Sequence, residues 1–282
     1  MSTPFASAAP YYARYRPPYP QEFHNLLADR FALDGSQTVL DLGAGPGTLS
    51  LALAPLADHV YAVDPEPAML AEGTRLAEER GLTNISWLRG DDAAVTRLCL
   101  PRIDLCVIGR AFHRMDRRRV PADLDEVLAP RGGIAVVTSL HRPGDPRPPW
   151  LAVVEEVRDR FLGGVREGAP APAGRADPRG HGPVPGARQA GGASDWDDLV
   201  ERLEKSPLSR VETHQWDQTL RRTVDEVIGL QLSLPATSPA VLGDRTAAFG
   251  AELRRALLDH EPRGTYDRTL RIGAAFATRP RR

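Results

Sequence analysis

A chain of 282 residues is long enough for one large domain, or for a core with a sizeable addition. Hydrophobic residues make up 41% of the chain and charged residues 26%, which is ordinary for a globular protein. The 36 basic and 37 acidic side chains give a net charge of −1, which excludes a general electrostatic attraction to nucleic acid.

The sequence carries none of the common signals for export, membrane insertion, disulfide bonds or metal binding. It does not begin with a charged segment followed by an apolar core, and its apolar runs fall short of the roughly 20 residues of a membrane helix. Cys99 and Cys106 lack paired or metal-binding spacing and lie among apolar residues, so we expect two buried, reduced thiols and no metal site. We expect a cytoplasmic monomer or homodimer that contacts no membrane.

The N-terminal region combines an aromatic, proline-rich segment with a helix. Residues 11–20 read YYARYRPPYP, which predicts an extended conformation. Residues 20–33 have the pattern of an amphipathic helix with a proline near the first turn.

From residue 36 to 140, short apolar runs alternate with helical patterns. The runs are rich in Val, Ile and Leu and predict buried strands at residues 38–42, 59–63, 84–88, 103–108 and 133–138. Helices are predicted between them at residues 47–56, 67–80 and 116–128. Repeated βα units of this length predict an α/β fold, a parallel sheet with helices on both faces.

The region from 141 to 282 is predicted to be more helical. Helices are predicted at residues 150–161, 224–232 and 239–260, and strands at residues 208–216 and 266–278. Residues 163–192 are rich in Gly, Pro, Ala and Arg and predict a flexible loop.

The strongest functional signal is a glycine-rich turn between a buried strand and a helix start. The glycines stand at 43, 45 and 47, where they permit positive φ and let a ligand approach the backbone closely. In a parallel sheet, such a turn lies at the carboxyl ends of the strands, where ligands bind.

The details of this turn favour one ligand class. Thr48 stands where the dinucleotide pattern G-x-G-x-x-G requires its third glycine, and the Gly-Lys-Ser/Thr ending of a phosphate-binding loop is missing. Asp41, just before the turn, would repel a pyrophosphate but suits a ligand with an ammonium and a sulfonium group. The turn therefore favours S-adenosyl-L-methionine (SAM) over NAD or ATP.

Acidic residues follow the next two predicted strands. Asp64 stands about 20 residues after the glycines, the spacing at which a carboxylate meets ribose hydroxyls, and it can accept two hydrogen bonds from a vicinal diol. After the third strand, Asp91 or Asp92 can receive the adenine amino group, and the doublet leaves open which one does so.

These segments resemble class I SAM-dependent methyltransferases. The string LDLGAGPG at residues 40–47 is similar to motif I of that family. Residues 62–64 and 90–91 resemble its ribose and adenine motifs, and LAPRGG at 128–133 resembles its turn before strand five. Residues 12–20 resemble the Y-x-x-Y-R-P-x-Y-P start of small-molecule methyltransferases.

The resemblance implies a Rossmann-like sheet of seven strands, the last antiparallel, and added C-terminal helices. It implies an N-terminal lid segment and helix at residues 1–35, a SAM-binding core at 36–140, and a substrate cap with the last two strands at 141–282. The implied cofactor-binding residues are Tyr12 and Arg16 of the lid, Gly43, Ala44 and Gly45 at the methionine moiety, Asp64 with Pro65 at the ribose, and Asp91 with Asp92 near adenine.

The end of the fourth strand supplies the candidates for chemistry. His113 has an ordinary pKa of about 6.5, so it can act as a base near neutral pH or can simply pack beside the cofactor. Arg110 can hold the SAM carboxylate or an anionic substrate, and we include it among the cofactor-binding residues. Arg114 stands where the family often has Trp.

We therefore expect an enzyme that methylates an oxygen or nitrogen of a small molecule. The preference for Arg, Ala and Pro suggests a GC-rich genome, in which such enzymes often modify secondary metabolites. The alternatives are a catalytically inactive SAM-binding sensor or scaffold, and an RNA or protein methyltransferase, which the neutral charge disfavours. An NAD oxidoreductase conflicts with the glycine spacing.

Overall fold

The computed structural model describes residues 3–141, 144–145, 147–163 and 193–280. The flexible loop predicted at residues 163–192 lies outside the described residues except for its first residue. The described chain divides into two compact units. We call residues 17–141, 144–145, 193–219 and 269–280 the sheet unit, and residues 3–16, 147–163 and 220–268 the helical unit.

Seven strands of the described chain form one sheet in the order β3-β2-β1-β4-β5-β7-β6. The strands are β1 (Thr38–Leu42), β2 (His59–Asp64), β3 (Ile85–Arg89), β4 (Ile103–Gly109), β5 (Leu128–Leu140), β6 (Arg210–Thr223) and β7 (Thr265–Thr278). The first five are paired in parallel, whereas β7 is antiparallel to β5. The predicted α/β fold, with a mostly parallel seven-stranded sheet, is confirmed.

Helices accompany the sheet and also form most of the helical unit. The sheet unit contains α2 (Gln21–Phe31), α3 (Thr48–Leu53), α4 (Pro67–Glu79), α5 (Val120–Val127) and α7 (Ala193–Glu204). The helical unit contains α1 (Pro4–Tyr15), α6 (Trp150–Gly163), α8 (Val224–Leu232), α9 (Pro239–Leu242) and α10 (Thr246–His260). Within the described ranges, no helix is long and apolar enough to cross a membrane.

Apolar side chains cover both faces of the sheet, which is why its strands are apolar throughout. On one face, Leu40 and Leu42 of β1 belong to a buried cluster with Leu124 of α5 and Leu199 of α7. On the other face, Val39 belongs to a second cluster, which includes residues of α2 and α3. Each large side chain that is fully buried contributes about 1.5–3 kcal/mol to folding. The alternation along β1 therefore anchors helices on both sides of the glycine turn that follows it.

The N-terminal segment differs from the sequence prediction. Residues 11–15 are helical, as the last part of α1, rather than extended. Thr3 caps this helix through a hydrogen bond from the Ala6 amide, at 3.0 Å, and Pro4 occupies the first turn, where its missing N–H costs nothing. The chain becomes extended only at Arg16, because Pro17 disfavours the helical conformation of the residue before it.

Three further predictions need correction. The helix predicted at 239–260 is interrupted, because Gly243 adopts a positive φ of 56° between α9 and α10. The helix predicted from residue 116 begins at Val120, since the Asp116 carboxylate accepts the amide of Arg118 and holds a turn there. Cys99 is exposed rather than buried, whereas Cys106 is buried as expected.

Candidate functional site

The glycine turn after β1 is shaped by backbone bonds and by a close neighbour. The amides of Gly43 and Ala44 both donate to the Val63 carbonyl, at 2.8 and 3.0 Å. A Cβ atom on Gly43 would lie 2.5 Å from the Ala111 Cβ, so the segment after β4 packs directly on the turn. Gly45 has a φ of 56° and nothing within 4 Å of its Cβ position. The turn is therefore crowded at Gly43 and open at Gly45, where a ligand can approach the backbone.

Asp64 is fixed against this turn by two backbone donors. Its Oδ2 accepts the amide of Gly45 and its Oδ1 accepts the amide of Glu66, both at 2.9 Å. Burial raises the pKa of Asp64, while the two hydrogen bonds and the charge of Arg114 oppose that increase. Each carboxylate oxygen has a further lone pair, so Asp64 can still accept two hydrogen bonds from a diol. Pro65, between Asp64 and Glu66, is exposed.

Asp41 has a different environment from the one expected. Its side chain is 1% exposed, and its Oδ2 accepts both the amide and the hydroxyl of Ser50, at 3.0 and 2.6 Å. Ser50 lies in the first turn of α3, so the carboxylate caps that helix from the preceding strand. Burial raises the pKa of Asp41 to about 7, although the bonds from Ser50 lower it. Asp41 therefore stabilises the start of α3, and its side chain is buried rather than exposed to a ligand.

The acidic doublet after β3 is divided between two environments. Asp92 accepts the amide of Asp116 through Oδ2, at 2.8 Å, and so links the turn after β3 to the segment after β4. Asp91 stands immediately before the short 3-10 helix at Asp92–Arg97, in an extended conformation. The amide of Gly90, just before the doublet, donates to the Asp64 carbonyl at 3.2 Å. Asp92 is thus engaged by the segment after β4, and which acid of the doublet meets the adenine amino group stays a prediction.

His113 lies in a short 3-10 turn, Phe112–Arg114, directly after β4. The residue is exposed to solvent, although its surroundings partly desolvate the ring. This desolvation, reinforced by the charges of Arg114 and Arg117 and opposed by Asp195, lowers the pKa of His113 to about 4. The imidazole is therefore neutral at pH 7 and can accept a hydrogen bond. As a base it is much weaker than the ordinary pKa of histidine suggests.

Arg110 is the residue that follows β4, and it adopts a φ of 54°. Its Nη1 donates to the Pro17 carbonyl at 2.7 Å, and its guanidinium carbon lies 4.4 Å from the centre of the Tyr19 ring. Its Nη2 is buried and has no hydrogen-bond partner in the described chain. The sequence identified this residue but gave no information on these contacts.

Tyr12 and Arg16 belong to the helical unit, whereas the other candidates belong to the sheet unit. The guanidinium carbon of Arg16 lies 4.8 Å from the centre of the Tyr12 ring, and its Nη2 donates to the Ser233 carbonyl at 3.4 Å. The two lid candidates are thus brought together at the end of α1. Their closure over a cofactor stays a prediction.

Two aromatic residues near the site were missed by the sequence reasoning. The Trp87 ring occupies the positions that Cβ atoms would take on Gly47 and Gly73. The Tyr19 hydroxyl occupies the corresponding position at Gly109, the last residue of β4. An unexplained glycine inside a helix, Gly73, was the available signal for Trp87.

A cavity of about 1030 Å³ lies at the opposite edge of the sheet, lined by Gln37, Asp104 and Gly132 near the starts of strands. Two of its arginines are already paired, Arg30 with Glu212 and Arg279 with Asp125. Because parallel sheets bind ligands at the carboxyl ends of their strands, we place the candidate site at the glycine turn instead.

The comparisons with known proteins agree with this arrangement. Residues 39–132, from β1 to the turn before the main part of β5, match the family model described as a methyltransferase domain. This segment of the chain is therefore similar to a methyltransferase domain. The matched segment contains the glycine turn, Asp64, the acidic doublet, Arg110 and His113.

Relatives support the same domain over a limited length. An uncharacterized methyltransferase of Mycobacterium bovis is 32% identical over 167 residues, which are 59% of this chain and 63% of the relative. The match thus spans less than two thirds of the relative's own length.

Two solved structures share the fold. A putative type II methyltransferase from Anaeromyxobacter dehalogenans is 21% identical, has a TM-score of 0.51, and is matched over 93% of this chain and 96% of its own. A precorrin 8w decarboxylase from Methanobacterium thermoautotrophicum is 15% identical, has a TM-score of 0.52, and is matched over 93% and 92%.

Proposed function

We propose that this protein is a methyltransferase that binds SAM at the glycine turn and methylates an oxygen or nitrogen of a small molecule. The observation that carries the proposal is the bond between the Gly45 amide and the Asp64 carboxylate, with open space beside Gly45. This hydrogen bond holds the Asp64 carboxylate, which can accept from hydroxyl groups, next to the Gly45 backbone that a ligand can approach.

The residues of this edge fit the chemical groups of SAM. Asp64 keeps lone pairs for the ribose diol, and Asp91 or Asp92 is the candidate for the adenine amino group. The open turn at Ala44 and Gly45 suits the methionine moiety. Arg110 is the candidate for the SAM carboxylate or for an anionic substrate.

SAM supplies a methyl group that is bonded to a positively charged sulfur. In the transfer the acceptor gains the methyl group and loses a proton. The sulfur keeps the electron pair of the broken C–S bond. The chain's own contribution is mainly orientation, since good alignment is worth about 7–11 kcal/mol of the barrier. His113, neutral at pH 7, can orient an acceptor hydroxyl or amine by accepting its hydrogen bond. Its low pKa favours this role over that of a strong base.

A small-molecule acceptor is supported by the charge balance of the chain. A chain with a net charge of −1 has no overall positive charge to attract a phosphate backbone. We extend the proposal to secondary metabolites on the basis of composition alone.

The test is a calorimetric titration with S-adenosylhomocysteine, with NAD as the competing ligand. We expect micromolar binding of S-adenosylhomocysteine alone. Asp64→Ala should weaken that binding by about 1.5–3 kcal/mol, the value of hydrogen bonds to a charged group. Asp58→Ala is the matched control, because Asp58 is exposed and precedes β2 at the opposite end of the strand from Asp64.

Each outcome has a distinct meaning. Binding followed by a gain of one methyl mass on a metabolite supports the enzyme. Binding without transfer to small molecules, RNA or protein would favour a sensor or scaffold instead. Equal affinity of the Asp64 and Asp58 variants would remove Asp64 from the site, and binding of NAD alone would overturn the proposal.

A further inference from the structure

The cavity of about 1030 Å³ at the opposite edge of the sheet from the glycine turn is rich in arginine. All of the residues that line it belong to the sheet unit. Four of them are arginines from four different parts of the fold: Arg30 of α2, Arg131 of β5, Arg210 of β6 and Arg279 just after β7. The cavity is also lined by two carboxylates, those of Asp104 and Asp125.

Both carboxylates and one of the arginines are engaged by the protein itself. The Nε of Arg279 lies 2.6 Å from Oδ1 of Asp125, and its Nη1 and Nη2 donate to the carbonyls of Ala129 and Asp125, at 2.7 and 2.6 Å. The Oδ2 of Asp104 accepts the amide of Thr38, at 2.9 Å. Arg279 and Asp125 therefore form a neutral pair that belongs to the framework of the cavity, and Asp104 holds the start of β1.

The other three guanidinium groups are available to a ligand. Arg131 and Arg210 are exposed, and neither side chain forms a hydrogen bond or an ion pair within the described residues. The Nε of Arg30 lies 3.6 Å from Oε2 of Glu212, which is too long for a hydrogen bond, and Glu212 also pairs with His214 at 2.8 Å. Apart from its neutral pair, the cavity is thus lined by an excess of positive charge.

This excess of positive charge favours a phosphate group as the ligand. A concave site lined by one sign of charge concentrates ions of the opposite sign. Each guanidinium presents a planar fork of donors, and a phosphate has enough charge and acceptor oxygens to bond more than one fork at once. The volume is at the upper end of the roughly 300–1,000 Å³ of small-molecule sites, so the cavity accommodates more than a free phosphate ion.

We propose that this cavity is a second ligand site, which binds a small molecule through its phosphate groups. Arg131 and Arg210 contact the phosphate oxygens, and Arg30 adds a third positive charge. The phosphate belongs to a free polyphosphate or to an organic phosphate, and the experiment separates these two sources. The cavity shares no residue with the glycine turn or with the segments after β3 and β4, so binding here and binding of SAM are tested independently.

The first arm is a calorimetric titration of the full chain with pyrophosphate at low ionic strength, where charges are least screened. Arg131→Gln and Arg210→Gln should each weaken binding by about threefold to tenfold, because each removes one charged fork. Arg210→Lys should be intermediate, since it keeps the charge without the fork. Arg80→Gln is the matched control and should change the affinity by less than twofold, because Arg80 is exposed at the end of α4 and does not line the cavity.

The second arm compares pyrophosphate with uridine 5′-diphosphate and uridine. Tighter binding of the nucleotide than of pyrophosphate identifies an organic phosphate as the ligand class, and equal binding identifies a free polyphosphate. In both cases uridine should not bind measurably. Uridine binding as tight as that of its diphosphate would show that phosphate is not the recognised group and would overturn the proposal.

The third arm locates the bound pyrophosphate by NMR. We expect its addition to shift the amide signal of Gly132, which lines the cavity, and to leave that of Gly45 in the glycine turn unchanged. A shift at Gly45 alone would place the anion at the other edge of the sheet and overturn the proposal. The same conclusion would follow if the wild-type protein did not bind pyrophosphate or the nucleotide, or if the Arg131 and Arg210 variants bound pyrophosphate as tightly as the Arg80 variant.

Discussion

The glycine turn and the segment from Arg110 to Asp116 lie against each other, but different forces shape them. In the turn, the groups that face the ligand space are backbone amides, and their positions follow from glycine conformations and from bonds to Val63 and Asp64. In the segment after β4, the relevant groups are side chains, and their charge and pairing depend on their neighbours. The first region should therefore respond to changes of shape, and the second to changes of environment.

The largest expected loss of stability distinguishes a steric clash within the glycine turn from the cost of its positive φ. Gly43→Ala adds a Cβ that would lie 2.5 Å from that of Ala111, in a residue with a φ of 75°, so we expect a loss of about 3 kcal/mol of unfolding free energy. Gly45→Ala meets only the conformational cost and should lose about 1–2 kcal/mol. Urea unfolding of the two variants measures the difference. Equal losses would show that the contact with Ala111 does not shape the turn.

The next effect concerns the buried cap of α3. The folded pKa of Asp41, about 7, lies above its ordinary value of 3.8, so folding favours the protonated form. The stability that the protonated Asp41 carboxyl contributes is fully present below about pH 4 and is lost as the pH rises to about 7. At 1.36 kcal/mol per pKa unit, the free energy of unfolding should fall by about 3–4 kcal/mol over this range.

This change is measured as the difference in unfolding free energy between wild type and Asp41→Asn at pH 4 and at pH 7. We expect the variant to gain stability relative to wild type at the higher pH, because Asn stays neutral and can still accept from Ser50. The exposed Asp58→Asn serves as control and should show no such trend. A difference independent of pH would mean that Asp41 titrates normally.

The smallest effect concerns His113 and needs no turnover. A titration of its ring followed by NMR, assigned with His113→Gln, should give a pKa of about 4. Arg117→Met should raise that pKa, because it removes one of the two positive charges that lower it. An observed pKa near 6.5 would restore His113 as an effective base and contradict the desolvation of its ring.

The parts of the fold that the sequence predicted depend on local patterns. The first five strands are short runs of apolar residues, each within one or two residues of its observed bounds except β5, which is longer at both ends. The end of α1 was missed because the prolines after residue 16 led us to predict an extended conformation for the aromatic residues before them as well. The interruption at Gly243 was missed because a helical apolar pattern continues across it. The predicted domain boundaries and the lid stay predictions.

By itself, the sequence determined the α/β fold, the glycine turn and the acids after the second and third strands. These follow from apolar periodicity and from residue types whose conformations are local. Only the tertiary structure decided how the polar groups are used, since their partners come from other segments of the chain. Asp41 pairs with Ser50, Asp92 with the amide of Asp116, and Arg110 with the carbonyl of Pro17. Charge and hydrogen bonding depend on distance in space, which a linear pattern does not contain.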